Sequence, residues 1–172
     1  MIKVYEAVKE DIKNPSVFLI TADQLEPVNK NLPNLYRFKE PTNYLHNYGA
    51  LFSGCTKVEF SNGNRVDVII TDSQFDLLPE FVQEFLLKHE EGHHVHGDLD
   101  IMLNNKRKAT VLLLLRCLGK TSKMELAADA YAADCIGSEM AIKSIEWIKN
   151  NTDIPFLSKI ELNSRIRALK KK

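Results

Sequence analysis

The spacing of hydrophobic and polar residues changes near residue 72 of the chain. Before this point the apolar residues form short runs rich in β-branched side chains, which predict strands at Val4–Val8 and Val17–Thr21. Two further runs, Thr56–Phe60 and Arg65–Thr71, flank an Asn-Gly pair, the strongest short-range signal for a β-hairpin. The N-terminal part is therefore predicted to form a small antiparallel sheet.

Helical periodicity begins near Asp76. Gly97 marks the end of the first helix, and Pro79 fits its first turn, where a missing N–H costs little. Further helices are predicted at about Lys106–Leu118, after Thr121-Ser122 as far as about Asn150, and after Pro155. One face of the first helix carries five apolar residues at helical spacing: Leu78, Phe81, Val82, Phe85 and Leu86.

Residues 26–50 break both patterns. This stretch holds three prolines and many asparagines, so it is predicted to be a loop with a short helical piece near Tyr44–Leu51. The chain as a whole is predicted to be α+β, with a small N-terminal antiparallel sheet packed on a mostly helical C-terminal half. We expect one domain of residues 1–172, β-rich over 1–72 and helical over 73–172.

Composition and charge narrow the class of protein. The 172 residues are 44% hydrophobic and 27% charged, which excludes a disordered chain or a fibre. Twenty-three basic and 23 acidic residues cancel, so no nucleic-acid partner is expected from the overall charge.

Three widely spaced cysteines, Cys55, Cys117 and Cys135, are typical of thiols in a reducing compartment. No apolar run approaches the ~20 residues that span a bilayer. The sequence favours a cytoplasmic protein without membrane insertion, and leaves its oligomeric state open.

The first long helix carries an HExxH motif from His89 to His93. Residues four apart lie one turn above each other, so the two imidazoles face one point. This arrangement suits a tetrahedral zinc ion that still has coordination positions to fill. Glu90 is rotated about 100° around the helix axis and can accept a proton from a metal-bound water. Because His89 continues the apolar face after Phe85, a metal would also offset the cost of burying the imidazoles.

A catalytic zinc ion takes three protein ligands, and the third must come from outside the motif. His94 points about 100° away from its neighbour in the motif, and His96 is interpreted as a surface group or as a contact of a ligand. Six downstream residues are candidates: His94, His96, Asp98, Asp100, Glu125 and Asp129.

Glu125 is the favoured third ligand. It lies four residues before Asp129 in an alanine-rich segment, and the small side chains would let this helix approach the HExxH helix closely. Asp129 would then reach the second nitrogen of a ligand imidazole. The alternative is that Glu125 belongs to a capping box with Ser122, and that Asp129 is an ordinary surface acid.

These segments resemble the small gluzincin metallopeptidases, which include the CAAX-prenyl-protease/heat-shock-protease superfamily and the ImmA/IrrE-type proteases. The Glu-to-Asp spacing of four is the one those families show, and Ser164–Leu169 resembles the Arg-Ile-x-x-Leu tail of the first superfamily. The match covers about residues 65–170, and only the two zinc segments are specific. Five residues carry it: His89, Glu90, His93, Glu125 and Asp129.

The resemblance implies a zincin-like helical half and the zinc-dependent hydrolysis of a peptide or protein substrate. Zinc held by His89, His93 and Glu125 would activate a water molecule, with Glu90 as its general base. It also implies that the strand Arg65–Thr71 lies at a sheet edge and pairs with an extended peptide, although the same residues fit a core strand equally well.

The sequence departs from the family in two ways. Membrane-spanning segments are absent, so a membrane-embedded substrate is not expected. Lys159-Ile160 stands where the family tail carries a His-Pro pair, which leaves the group that stabilises the transition state unassigned. Tyr131 and His46 are candidates for that role, although packing or surface positions suit both residues better.

Two other functions fit the same motif. A peptide deformylase uses HExxH with an upstream cysteine as third ligand, which would be Cys55, but the other motifs of that family are missing. A catalytically silent zinc-binding module for regulation or interaction is the second alternative. The intact Glu90 argues against it, because a purely structural site needs no base.

Overall fold

A computed structural model of the chain describes six stretches of it, and their residues fall into two compact units, Met1–Phe75 and Asp76–Lys172. The first unit holds the strands and the second holds the long helices. The predicted α+β class is confirmed. The described residues are 3–5, 19–21, 24–41, 52–60, 65–105 and 121–172.

The first unit contains a six-stranded sheet with the strand order β2-β1-β5-β6-β4-β3. The predicted hairpin strands are confirmed, because β5 and β6 pair antiparallel over the whole length of β6. The turn predicted between them, at residues 61–64, lies outside the described residues. The strands are β1 (Lys3–Tyr5), β2 (Leu19–Thr21), β3 (Leu25–Pro27), β4 (Leu35–Phe38), β5 (Ser53–Phe60) and β6 (Arg65–Thr71).

The sheet was predicted to be antiparallel, and its strand pairs are antiparallel except that β4 runs parallel to β6, so the sheet is mixed. The prediction of a loop was wrong at β3 and β4. Leu25 and Leu35 are buried there, so pairing and burial outweigh a composition that locally favours a loop. Pro27 is tolerated because β3 is the last strand of the sheet, where a missing N–H costs little. The helical piece expected near Tyr44–Leu51 lies outside the described residues.

Strand β6 lies inside the sheet. It pairs with β5 on one side and β4 on the other, and every residue after Arg65 is buried. The expectation of an edge strand that pairs with a peptide was therefore wrong, and the alternative of a core strand is correct. Its apolar side chains form a cluster with those of β5 and β3: Leu25, Val58, Val66, Val68 and Ile70.

The second unit is helical. The first predicted helix is confirmed, since α1 begins directly after Pro79 and ends before Gly97. A short helix, α2, follows that the sequence did not predict, and the helix expected at Lys106–Leu118 lies outside the described residues. No helix in the described parts of the chain has the length and apolar character needed to cross a membrane. The helices are α1 (Glu80–Val95), α2 (Asp98–Asn104), α3 (Lys123–Ile136), α4 (Ser138–Asn151) and α5 (Phe156–Leu169).

The prediction of one long helix after Ser122, as far as about Asn150, was wrong, because this stretch is divided into α3 and α4 at Gly137. This glycine has φ 91° and ψ 141°, a conformation that side chains with a Cβ atom rarely adopt. The turn lets α4 pack its own apolar face, with Ile145 fully buried. The last helix, predicted after Pro155, is confirmed as α5.

We expect substitution by asparagine to destabilise the protein to different extents at Gly97 and Gly137, the two described glycines with positive φ. Gly97 has φ 65° and ψ 28°, a left-handed conformation that asparagine tolerates, whereas the conformation of Gly137 is nearly restricted to glycine. A Cβ atom at either site meets no atom within 4 Å, so steric contact plays no part. Gly137→Asn should lower the free energy of unfolding by about 1–3 kcal/mol in urea titrations. Gly97→Asn should lower it clearly less, and equal losses would contradict the assignment.

Candidate metal centre

Three side chains from two helices converge on one point. Helix α1 supplies His89 and His93, whose Nε2 atoms are 3.2 Å apart. Helix α3 supplies Glu125, whose Oε2 lies 3.3 Å from Nε2 of His89 and whose Oε1 lies 3.7 Å from Nε2 of His93. The structure thus brings together the three residues that the sequence singled out as metal ligands.

The spacing of these atoms fits a metal ion. With metal–ligand bonds of about 2.0–2.1 Å in a tetrahedron, the ligand atoms are about 3.3 Å from one another. The separations of 3.2 and 3.3 Å match this value, and the 3.7 Å between His93 and the other oxygen of Glu125 is slightly longer. Among the described residues, these are the only three histidine, cysteine or acidic side chains that are close enough together to share an ion. Two imidazoles and one carboxylate are also a donor set that zinc prefers.

The second nitrogen of each imidazole is bound to a carboxylate. Nδ1 of His89 donates to Oδ1 of Asp129 at 2.9 Å, and Nδ1 of His93 donates to Oδ2 of Asp98 at 2.8 Å. A neutral imidazole with its proton on Nδ1 carries a lone pair on Nε2. Once Nε2 of both rings has lost its proton, two lone pairs and the Glu125 carboxylate face the same point, which favours a positive charge there, either a proton or a metal ion.

The pKa values of the cluster agree with this reasoning. Burial and the charge of Arg165 both lower the pKa of His89, but hydrogen bonds to Asp129 and Glu125 outweigh them and raise it to about 10. Burial alone would raise the pKa of Glu125, yet the hydrogen bond and charge of His89 hold it well below its usual range. A proton is shared by at most two acceptors, whereas a metal ion can bind all three.

Arg165 of α5 neutralises the carboxylate behind His89. Its Nε lies 2.7 Å from Oδ2 of Asp129 and its Nη2 lies 2.5 Å from Oδ1, a bidentate pair. Burial favours the neutral acid, but the charge of Arg165 and the bond to His89 lower the pKa of Asp129. Nη1 of Arg165 also lies 3.5 Å from Oε2 of Glu125. The arginine therefore joins α5 to Glu125 and Asp129 of α3.

Small residues set the distance between α1 and α3. A Cβ atom on Gly92 would lie 2.8 Å from Cα of Ala128 and 3.2 Å from Cβ of Tyr131, so only glycine fits at this contact. Ala128 and Ala132 are fully buried on the facing helix. This close approach places Glu125 within reach of the two imidazoles.

Glu125 serves both of the roles that its sequence context suggested, with different atoms. Its backbone N–H donates to Oγ of Ser122 at 3.2 Å, which caps α3. Its carboxylate instead lies with the imidazoles of α1. The cap therefore holds the first turn of α3 in place while the side chain takes part in the site.

The site is open on one side. The side chain of Glu125 is 32% exposed and that of His93 is 15% exposed, whereas that of His89 is only 6% exposed. Asp129 is almost completely buried behind His89. Solvent therefore reaches the cluster from the side of Glu125, and the opposite side is closed by protein.

The other candidate residues have separate places in the structure. Glu90 is buried directly after His89 on α1. His96 is exposed and donates from Nδ1 to the carbonyl of Gly92, at the end of α1. The hydroxyl of Tyr131 lies 3.4 Å from a carboxylate oxygen of Glu91, so this residue is not assigned to the transition state. His46 lies outside the described residues.

Two residues of the site were missed by sequence reasoning. Asp98 was considered only as a metal ligand, although its place five residues after His93 and directly after Gly97 was a signal for a turn back towards α1. Arg165 was noted in the C-terminal tail without a role. Its partner Asp129 lies 36 residues earlier, so no local pattern connects the two.

Comparisons of this chain with known protein families, with curated proteins and with solved structures found no match. The resemblance to gluzincin metallopeptidases stays a prediction that rests on the residues named above.

Replacing Gly92 by alanine tests the helix contact. Alanine is a better helix former than glycine by about 1 kcal/mol, so without a clash the variant would be more stable. We expect the opposite sign, a loss of about 1–3 kcal/mol in the free energy of unfolding, because the new Cβ pushes α1 and α3 apart. Zinc affinity should fall as well. Glu84→Ala, at an exposed position of α1, is the control, and a Gly92→Ala protein as stable as wild type would contradict the contact.

Zinc binding should depend on pH in a defined direction. An ion that binds Nε2 of His89 must displace a proton, which is present at neutral pH because the pKa is about 10. Lower pH therefore favours the protonated side chain over zinc. We expect the dissociation constant to fall at least about tenfold for each pH unit between about 6 and 8, with proton release seen by calorimetry in buffers of different ionisation enthalpy. A constant that does not change with pH would refute the assignment.

Proposed function

We propose that the chain is a zinc-dependent metallopeptidase of the gluzincin type, a hydrolase that cleaves peptide bonds in peptide or protein substrates. One observation supports this proposal most: Nε2 of His89, Nε2 of His93 and the Glu125 carboxylate face one point at the separations of zinc ligands. The HExxH spacing, with Glu90 beside the first ligand, supplies the base that such a reaction needs. The spacing of the cysteines favours a cytoplasmic location.

The proposed roles follow from the position of each side chain. His89, His93 and Glu125 would hold the ion. When bound, zinc would lower the pKa of a coordinated water towards neutrality and polarise the substrate carbonyl. Glu90 accepts the proton of the water as its oxygen attacks the carbonyl carbon. It then passes this proton to the leaving amine as the carbon–nitrogen bond breaks.

The openness of the site supports a catalytic role over a structural one. Structural zinc sites are usually closed by four protein ligands, whereas catalytic sites keep one position for water. Here three ligands come together among the described residues, and Glu125 remains accessible to solvent. Glu90 is buried directly after the first ligand on α1, as expected for a base that acts beside the ion. In this proposal Glu125 is the third metal ligand, the role that Cys55 would have in a deformylase, so no cysteine ligand is needed.

Two substitutions should separate metal binding from turnover. Glu125→Ala removes a ligand, so we expect zinc affinity to fall at least about 100-fold in a chelator competition. Glu90→Gln removes the base but no ligand. This variant should keep one zinc ion per chain while hydrolysis of a fluorescent casein falls by about 100-fold or more.

The matched controls are exposed glutamates of neighbouring helices. Glu139→Ala on α4 should bind zinc as wild type does, and Glu84→Gln on α1 should cleave casein as wild type does. Wild-type protein without zinc in metal analysis, or undiminished cleavage by Glu90→Gln, would refute the proposed function.

A further inference from the structure

Two carboxylates support the two histidines of the site, but their surroundings differ. Asp129, behind His89, is also held by the bidentate guanidinium of Arg165. Asp98, behind His93, is buried as well, yet no lysine or arginine within the described residues forms an ion pair with it. Within the described parts of the chain, Asp129 therefore interacts with both a cation and an imidazole, whereas Asp98 interacts with an imidazole.

The pairing of Asp129 with Arg165 ties it to the stability of the fold. Without Asp129 the guanidinium would lose its bidentate partner in the interior, and a buried charge that has lost its partner is strongly destabilising. The same pairing draws negative charge away from His89, so Asp129 polarises its imidazole less than an unshared carboxylate would.

Among the residues that the structure describes, the side chain of Asp98 contacts His93. Its Oδ2 lies 2.8 Å from Nδ1 of His93, on the side of the ring opposite Nε2. The backbone brings it there because Gly97 has φ 65° and starts α2 directly after the end of α1. A carboxylate in this position fixes the ring plane, keeps the proton on Nδ1 and makes Nε2 a stronger electron donor towards a cation.

We propose that Asp98 is the positioning residue of the metal site, and that it aims Nε2 of His93 at the point shared with His89 and Glu125. Asp129 chiefly completes the ion pair with Arg165 that holds α5 against α3. This inference rests on the proposed zinc site. It assigns different roles to two carboxylates that make the same kind of hydrogen bond to a histidine Nδ1 atom.

The test measures the metal site and the stability of the protein separately. For each variant, zinc affinity is measured by chelator competition, the urea midpoint is measured on zinc-free protein, and the visible absorption of the cobalt-substituted protein reports ligand geometry. Asp98→Asn should weaken zinc binding by about 10–100-fold and change the cobalt spectrum, while the urea midpoint stays at the wild-type value. Asp129→Asn should lower the urea midpoint markedly.

Two further variants complete the comparison. Asp98→Glu restores the charge and should recover part of the lost affinity. Asp100→Asn removes an exposed acid from the same short helix and should leave affinity and spectrum unchanged.

The outcomes distinguish this inference from the proposed function. Wild-type protein that binds no zinc overturns both. Wild-type protein that binds zinc, together with Asp98→Asn protein of equal affinity and unchanged spectrum, overturns the role of Asp98 alone. A urea midpoint that falls as far in Asp98→Asn as in Asp129→Asn also overturns it, because Asp98 would then be structural.

Discussion

The imidazoles of His89 and His93 and the carboxylate of Glu125 face one point, and their mutual repulsion is relieved only by a positive charge between them. The contacts between the helices hold the three groups in this arrangement. Asp98 and Asp129 accept hydrogen bonds from the Nδ1–H groups of the two imidazoles, so a ring that also carries a proton on Nε2 is positively charged. Glu125 adds a carboxylate at similar distance. Partial burial strengthens the attraction for a cation, because little solvent is present to screen it. The raised pKa of His89 expresses the same preference for positive charge.

Packing makes this arrangement possible. The Glu125 carboxylate reaches α1 only because α1 and α3 approach closely, and the contact of Gly92 with Ala128 leaves no room for a larger side chain. The polar site therefore lies beside a contact of small residues that fixes its geometry. Arg165 then links a third helix to the acids of α3, which balances part of the negative charge that the site gathers. Stability and chemistry thus depend on the same few contacts between helices.

Local patterns predicted most elements, and they failed where distant segments decide the structure. The Asn-Gly hairpin and the boundaries of α1 at Pro79 and Gly97 follow from neighbours in the sequence. Strand β4 runs parallel to β6, and such pairing leaves no turn signal between the two segments. The division at Gly137 was visible as a single glycine, but its positive φ depends on how α3 and α4 pack.

The sequence alone determined the HExxH spacing, the preference for Glu125 as the third converging side chain and the small residues that permit it, because helical periodicity fixes which residues share a face. Only the tertiary structure decided that Asp98 turns back to His93 and that Arg165 pairs with Asp129. Contacts between separate helices depend on their relative position and rotation, and no spacing within one helix contains that information.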